Sequence, residues 1–207
     1  MLFWAANGNG RPLSVLVPGG TCSTAVVLHR EIRRIQASSG LTNQMDIQVV
    51  VIPCVGDEGY AERQMMALNM ETGGSGDKGE IPQVLKPAPA ATFYLEEEDE
   101  QRYFRFGEPD LEILNTFREM EDYGVKIDLL YGAPAWNVLL RHWPVDGETE
   151  SSLLSGREIM YVHSGGLEGI SSQLMRYRHK GLIDGKEVQH PERQRRVSKE
   201  FLDSIQD

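Results

Sequence analysis

The chain has 207 residues, 40% hydrophobic and 25% charged, which is enough apolar material for one substantial core. Its 31 acidic and 21 basic side chains leave a net charge of -10 at neutral pH. That balance argues against nucleic acid and anionic membrane as main partners, because either selects a basic face.

In chain order, the start Met1-Leu-Phe-Trp4 is a short apolar run without a positive flank, and no later run approaches bilayer length. The expectation is a cytoplasmic chain off the membrane. Ser14 to Val17 predicts a buried strand, and Ala25, Leu28, Ile32 and Ile35 recur at helical steps in an amphipathic helix closed by Gly40. The β-branched run Ile47 to Cys54 suits a strand covered on both faces, and Glu58 to Leu68 reads as a helix. Strand, helix, strand, helix implies a parallel sheet.

Residues 69–103 change character, with Gly73-Gly-Ser-Gly76 and then Pro82, Pro87 and Pro89, and predict a flexible insertion with little to bury. Within it, Glu96 to Glu100 reads as a solvated loop. A helix resumes through Leu111, Leu114, Phe117 and Met120 and ends at Gly124. Val125 to Tyr131 predicts a strand, followed by a short helix carrying Trp136, Leu139 and Leu140. After a polar linker at 144–156, the stretch from Glu158 runs as a strand into His163-Ser-Gly-Gly166 and a further helix. Arg176 to Lys199 reads as a solvated surface helix and tail. Residues 1–207 are thus expected to form one α/β domain, a three-layer open parallel sheet with flanking helices.

The most informative stretch is Pro18-Gly-Gly-Thr-Cys-Ser-Thr24, a glycine and hydroxyl loop that carries a strand directly into a helix. Such a loop aims backbone N–H groups at an anion, and the helix dipole favours negative charge there. The alternative is a plain strand-to-helix turn capped by Ser or Thr. The loop has neither the lysine of a P-loop nor the third glycine of a dinucleotide site. Cys22 and Cys54 form no metal-binding spacing, the five His are scattered, and a reducing compartment without a structural metal is expected. Cys22 itself reads as a partly buried loop residue whose place at a helix start would lower its pKa.

Tyr131 and the turn at Ser164 end two further predicted strands, and open parallel sheets bind ligands at such carboxyl ends. Tyr131 reads either as an acid, base or nucleophile, or as an aromatic packing on Trp136. His163 reads as structural, since strand alternation turns it away from Ser164.

Together the loop, Asp128-Leu-Leu-Tyr131 and His163-Ser-Gly-Gly166 resemble the C-terminal part of fold-type-II pyridoxal-phosphate enzymes, of the 1-aminocyclopropane-1-carboxylate deaminase and D-cysteine desulfhydrase family. The resemblance covers roughly residues 13–70 and 104–182. It implies pyridoxal 5'-phosphate as cofactor, held by Gly19, Gly20, Thr21, Cys22, Ser23 and Thr24, with Tyr131 as the catalytic tyrosine beside it. It also implies a small amino acid as substrate, converted to an α-keto acid and ammonia. Gly132 stands where the family often has Glu, Thr or Ser, so Ser164 becomes the group expected to face the pyridine nitrogen. A neutral hydroxyl there makes a milder electron sink, which favours D-cysteine-type desulfhydration over cyclopropane ring opening.

The family's cofactor-binding lysine lies in an N-terminal half that has no counterpart here, and Lys78, Lys86, Lys126, Lys180, Lys186 and Lys199 match no motif for it. The expectation is a partial enzyme, inactive alone, that needs the missing half or a second copy as partner. A non-catalytic phosphate-ligand or interaction module on the same fold is the alternative, and an ordinary nucleotide-binding domain a third reading.

Overall fold

The computed structural model describes residues 12–38, 46–86, 105–142 and 153–184, and the backbone of 94–95 and 101–102. Its centre is a four-stranded, all-parallel sheet of β1 (Leu13–Gly19), β2 (Ile47–Pro53), β3 (Gln83–Val84) and β6 (Glu158–Tyr161), in the order β3-β2-β1-β6. Helix α1 (Ser23–Ser38) connects β1 to β2, and α2 (Glu58–Glu71) leads from β2 toward β3. Two short strands, β4 (Tyr94–Leu95) and β5 (Gln101–Arg102), pair antiparallel in a separate ribbon. The expected α/β class with an open parallel sheet is what the chain adopts.

The β-branched runs take strand form because both of their faces are covered. Alternate residues Leu13, Val15 and Val17 of β1 and Ile47, Val49 and Val51 of β2 join Ala25, Val26, Ile32, Ala61 and Met65 of the first two helices in one core. The intervening Ser14, Leu16, Val50 and Ile52 are buried as completely on the other face. Each such Val, Leu or Ile contributes roughly 1.5–3 kcal/mol of transfer free energy. The stripe read from α1 is largely right: Ala25 and Ile32 are buried and Leu28 and Ile35 pack against the core.

The chain divides into two compact units. Residues Met1–Phe106 with Pro134–Ser164 form the first, and Gly107–Ala133 with Gly165–Asp207 the second. The second holds α3 (Leu111–Asp122), the first two residues of α4 (Gly132–Arg141) and α5 (Ile170–His179). Helix α3 buries Ile113, Leu114, Phe117 and Met120, while Leu111, expected in that stripe, is exposed at the first turn. Asp110 caps the helix, accepting from the N–H groups of Glu112 at 2.8 Å and Ile113 at 3.3 Å. The preceding turn is held to α5 by Lys180 on Glu108 at 2.8 Å. Among the described residues no helix is long and apolar enough to cross a membrane.

Two segments depart from the sequence expectation. Val125 to Tyr131 forms no strand. The Asp128 carboxylate accepts from the N–H groups of Leu130, Tyr131 and Gly132, and its carbonyl accepts from Ala133, so these donors close a turn instead of a ladder. Burial does not alternate there either, since Ile127, Asp128 and Leu129 are buried in succession.

The glycine-rich start of the insertion is also structured. Helix α2 runs through Glu71, Lys78–Glu80 form a 3-10 turn, and Ile81, Val84 and Leu85 are buried. Polar side chains replace the missing apolar ones there. Buried Asn69 donates to the Ser75 carbonyl and to Glu80, both at 2.9 Å, and Glu80 accepts the Ser75 N–H at 2.7 Å. The readings made for Met1-Leu-Phe-Trp4, Gly40, Glu96 to Glu100, the start of the 144–156 linker and the tail beyond 184 lie outside the described residues.

The amino ends of the three long strands meet at Arg157. Its guanidinium forks onto Asp46 at 2.9 and 2.8 Å, and donates to the Ser14 hydroxyl at 2.9 Å and the Leu13 carbonyl at 3.1 Å. Ser14 in turn donates to the Leu153 carbonyl at 2.6 Å and accepts from Gln48 at 2.9 Å. Arg157 is only 11% exposed while Asp46 is 65% exposed. Arg157→Ala should therefore cost about 2–3 kcal/mol, because it removes charge-assisted hydrogen bonds to the Leu13 carbonyl and the Ser14 hydroxyl from a mostly buried site. Asp46→Asn should cost under about 1 kcal/mol because its charge is solvated. Urea unfolding of both variants checks the ordering, and equal losses would mean that the ion pair, not the buried hydrogen bonds, sets the cost.

Two histidines give the first unit an acid sensitivity. Burial is the first cause holding His29 and His142 below the ordinary imidazole pKa, with the nearby Arg33 charge adding at His29. The ring of His142 donates to the Lys86 carbonyl at 2.8 Å. Both stay neutral in the folded chain at pH values where the unfolded chain takes a proton, so the unfolded state binds more protons in that window. Stability is thus full above about pH 6.5, the unperturbed imidazole value, and falls as pH drops toward the folded-state pKa. Urea midpoints between pH 8 and 5 should show this slope, and His142→Gln should flatten it; an unchanged slope would remove His142 from the account.

Candidate functional site

The sheet order is that of an open sheet built outward in two directions. The chain leaves β1 for β2 and β3 on one side and returns to the other side with β6. The order reverses between β1 and β6, and ligands in such sheets bind beyond the carboxyl ends at that point. Leu16 pairs with Tyr161, and Val162 donates to the Leu16 carbonyl at 2.9 Å, so β1 and β6 run side by side toward the same edge. The segment Gly19 to Thr24 follows β1 there and Ser164 follows β6.

Close packing forces the shape of the first loop. A Cβ on Gly19 would lie 2.5 Å from Val51 Cγ1 and 2.9 Å from Cys22 Sγ, so only glycine lets the strand end against β2 while the loop folds back. Cys22 makes the turn into α1 with φ 61°, a left-handed conformation rare outside glycine. Its thiol is buried, at 4% exposure, and lies 3.7 Å from the Gly20 carbonyl. Cys22 is therefore part of the loop's frame, while Thr21, Ser23 and Thr24 are exposed around it. Thr21 and Ser23 hydroxyls are 3.2 Å apart.

The helix that starts here differs from its neighbours. Helices α2 and α3 begin on Asp57 and Asp110, whose carboxylates occupy their first N–H groups. Helix α1 begins after Cys22, with hydroxyls and no acidic side chain in its first turn. Sixteen residues of helix thus present their positive end beside three exposed hydroxyls.

His163 and Ser164 are both exposed beyond the end of β6 at Tyr161. Strand alternation, expected to turn His163 away from Ser164, therefore does not separate them, because the strand ends before both. Trp136 packs on Tyr161, with ring centroids 5.1 Å apart.

Tyr131 belongs to the second unit, where it lies in the turn before α4 and not at a strand end. Its main chain is fixed by Asp128, whose Oδ1 accepts from the Tyr131 N–H at 2.7 Å. Gly132 has a local reason to be glycine: a Cβ would sit 2.8 Å from Ile127 Cβ and 3.0 Å from Asp128 Oδ2. Asp128 went unremarked in the sequence beyond its place in a motif. An Asp four residues ahead of Gly132-Ala-Pro, placed to take the N–H groups two and three residues on, is the turn signal that marks it.

The group implied by the resemblance fits this chain at one end. Phosphate matches the donor set of exposed hydroxyls and a helix start without an acidic side chain. The aldehyde of pyridoxal phosphate needs a lysine, and the described residues supply none suited to it: Lys78, Lys86 and Lys180 pair with Glu62, Glu58 and Glu108, and Lys126 is exposed after α3. No family model, curated protein or solved structure matches the chain.

Burial pushes the Cys22 thiol up to about 11. Desolvation thus outweighs the helix start that the sequence reading expected to lower it. At pH 8 Cys22, and Cys54, which is also buried, should react with a disulfide reagent only in denaturant. Fast labelling of the native chain would contradict the closed loop described here.

Proposed function

We propose that the chain binds a phosphorylated small molecule at the carboxyl ends of β1 and β6, with Gly19 to Thr24 as the phosphate cradle. The observation that carries this is the start of α1: a helix of sixteen residues with no acidic side chain in its first turn, opening among the hydroxyls of Thr21, Ser23 and Thr24 at the sheet's reversal point. Backbone N–H groups of the first turn would donate to the phosphate oxygens, and the hydroxyls would complete the set. Ser164, following the neighbouring strand, would meet the part of the ligand that extends from the phosphate.

The resemblance supplies the ligand's identity: pyridoxal 5'-phosphate, held by the phosphate-binding part of a three-layer fold-type-II enzyme. The activity proposed with it is deamination or desulfhydration of a small amino acid, with D-cysteine favoured over the cyclopropane substrate. When bound, this cofactor supplies an electron sink for bonds at the amino acid's α-carbon. The chain's own contribution is to hold the phosphate and, through Ser164, to offer the ring a neutral hydroxyl. Tyr131 enters this reading through the resemblance alone.

A second reading is favoured by the lysines. Lys78, Lys86, Lys126 and Lys180, the described lysines, all lie outside β1, α1 and β6, and the chain would then hold the phosphate ligand without a covalent bond, as a binding module. Both readings share the cradle and differ in whether a lysine from elsewhere completes it.

The probe suited to both is pyridoxine 5'-phosphate, which carries the phosphate and ring but no aldehyde. Calorimetric titration should show one site, and the double change Ser23→Ala with Thr24→Ala should weaken it about tenfold or more, the effect of losing one or two hydrogen bonds to a charged group. The circular dichroism spectrum should be unchanged. Equal affinity in the folded variant would remove the loop from the site.

A further inference from the structure

The second unit contains a buried carboxylate that the phosphate site does not use. Asp128 is 3% exposed, and its nearest partners are main-chain N–H groups instead of a cation: Leu130 at 2.8 Å and Tyr131 at 2.7 Å on Oδ1, and Gly132 at 2.9 Å on Oδ2. Its own carbonyl accepts the Ala133 N–H at 2.7 Å. Four consecutive N–H groups, from Leu130 to Ala133, are therefore tied to one residue, and Tyr131 lies in their middle. A carboxylate is suited to this because it is acceptor-only and can take donors on both oxygens.

The same side chain also meets a second segment. Gly166, at φ 95°, comes so close that a Cβ there would lie 2.9 Å from Asp128 Cγ and 3.1 Å from both Cβ and Oδ2. Gly165 before it is also left-handed, at φ 112°, with open space around it. One carboxylate therefore sets the main chain of Tyr131 on one side and limits the approach of the Gly165–Gly166 turn on the other. Two glycines, 132 and 166, leave it the room.

We propose that Asp128 is a positioning residue for Tyr131: by holding the Leu130–Ala133 turn and abutting Gly166, it fixes where the phenol stands relative to the glycine turn. The function of this arrangement rests on the reading of Tyr131 as the catalytic tyrosine, which the resemblance alone supplies. In Asp128→Asn one oxygen still accepts from Leu130 and Tyr131, but the amide NH2 confronts the Gly132 N–H, donor against donor. In Gly166→Ala the carboxylate remains and is displaced by the new methyl group.

The test is NMR of the full chain labelled at the tyrosine Cζ, with Tyr131→Phe to assign the Tyr131 signal. Both Asp128→Asn and Gly166→Ala should shift that signal and leave Tyr177, buried on α5 in the same unit, in place. A Tyr131 signal unmoved in either folded variant overturns the proposal. So does a Tyr177 signal that moves with it, since the carboxylate would then support the unit in general. If Asp128→Asn does not fold, Gly166→Ala decides. Titrating the wild-type sample with pyridoxine 5'-phosphate keeps the two ideas apart: absence of binding removes the ligand reading, while the Tyr131 shift alone judges the role of Asp128.

Discussion

Strand β1 must be central, and the rest of the first unit follows from that constraint. All seven of its residues are buried, so it needs cover on both faces and a hydrogen-bonded neighbour along each edge. The neighbours come from far along the chain. β2 arrives through α1, while β6 returns only after segment 107–133 of the second unit and helix α4. Arg157, one residue before β6, sets the amino ends by binding Asp46, Ser14 and Leu13 together. With the amino ends fixed, the carboxyl ends of β1 and β6 open side by side, and the loop at Gly19 has nowhere to go but over β2 and into α1.

That geometry explains why the loop residues divide into two kinds. Gly19 and Cys22 are committed to packing, one by the nearness of Val51 and the other by its buried thiol and left-handed backbone. Thr21, Ser23 and Thr24 are left exposed beside the helix start. A strained turn held by buried neighbours, with its hydroxyls facing outward, is a common way for a fold to keep donors pointed at an anion.

The sequence was most legible where one physical term dominates. Val15, Val17, Val49 and Val51 lie in uninterrupted apolar runs, and hydrophobic burial alone makes them strands. The loop's glycines and hydroxyls, and the asymmetry between α1 and its Asp-capped neighbours, could be read from residue types. It was least legible where a polar side chain competes with the ladder. Val125 to Tyr131 carries a strand-like pattern, yet Asp128 captures the N–H groups that a strand would need. Asn69 and Glu80 order a glycine-rich stretch with little apolar content in the same way. Arg157 was invisible for another reason: its partners at 13, 14 and 46 are distant in sequence, and only the parallel register brings them near.

The central claim is that the carboxyl ends of β1 and β6 form one ligand site with phosphate at the start of α1. The most direct measurement is a two-dimensional amide NMR titration of the intact chain with pyridoxine 5'-phosphate. The account predicts saturable shifts concentrated at the amides of Gly20 to Ala25, with Ser164 moving in the same concentration range. Saturable shifts centred on other elements, with the Gly20 to Ala25 amides unmoved, would contradict it.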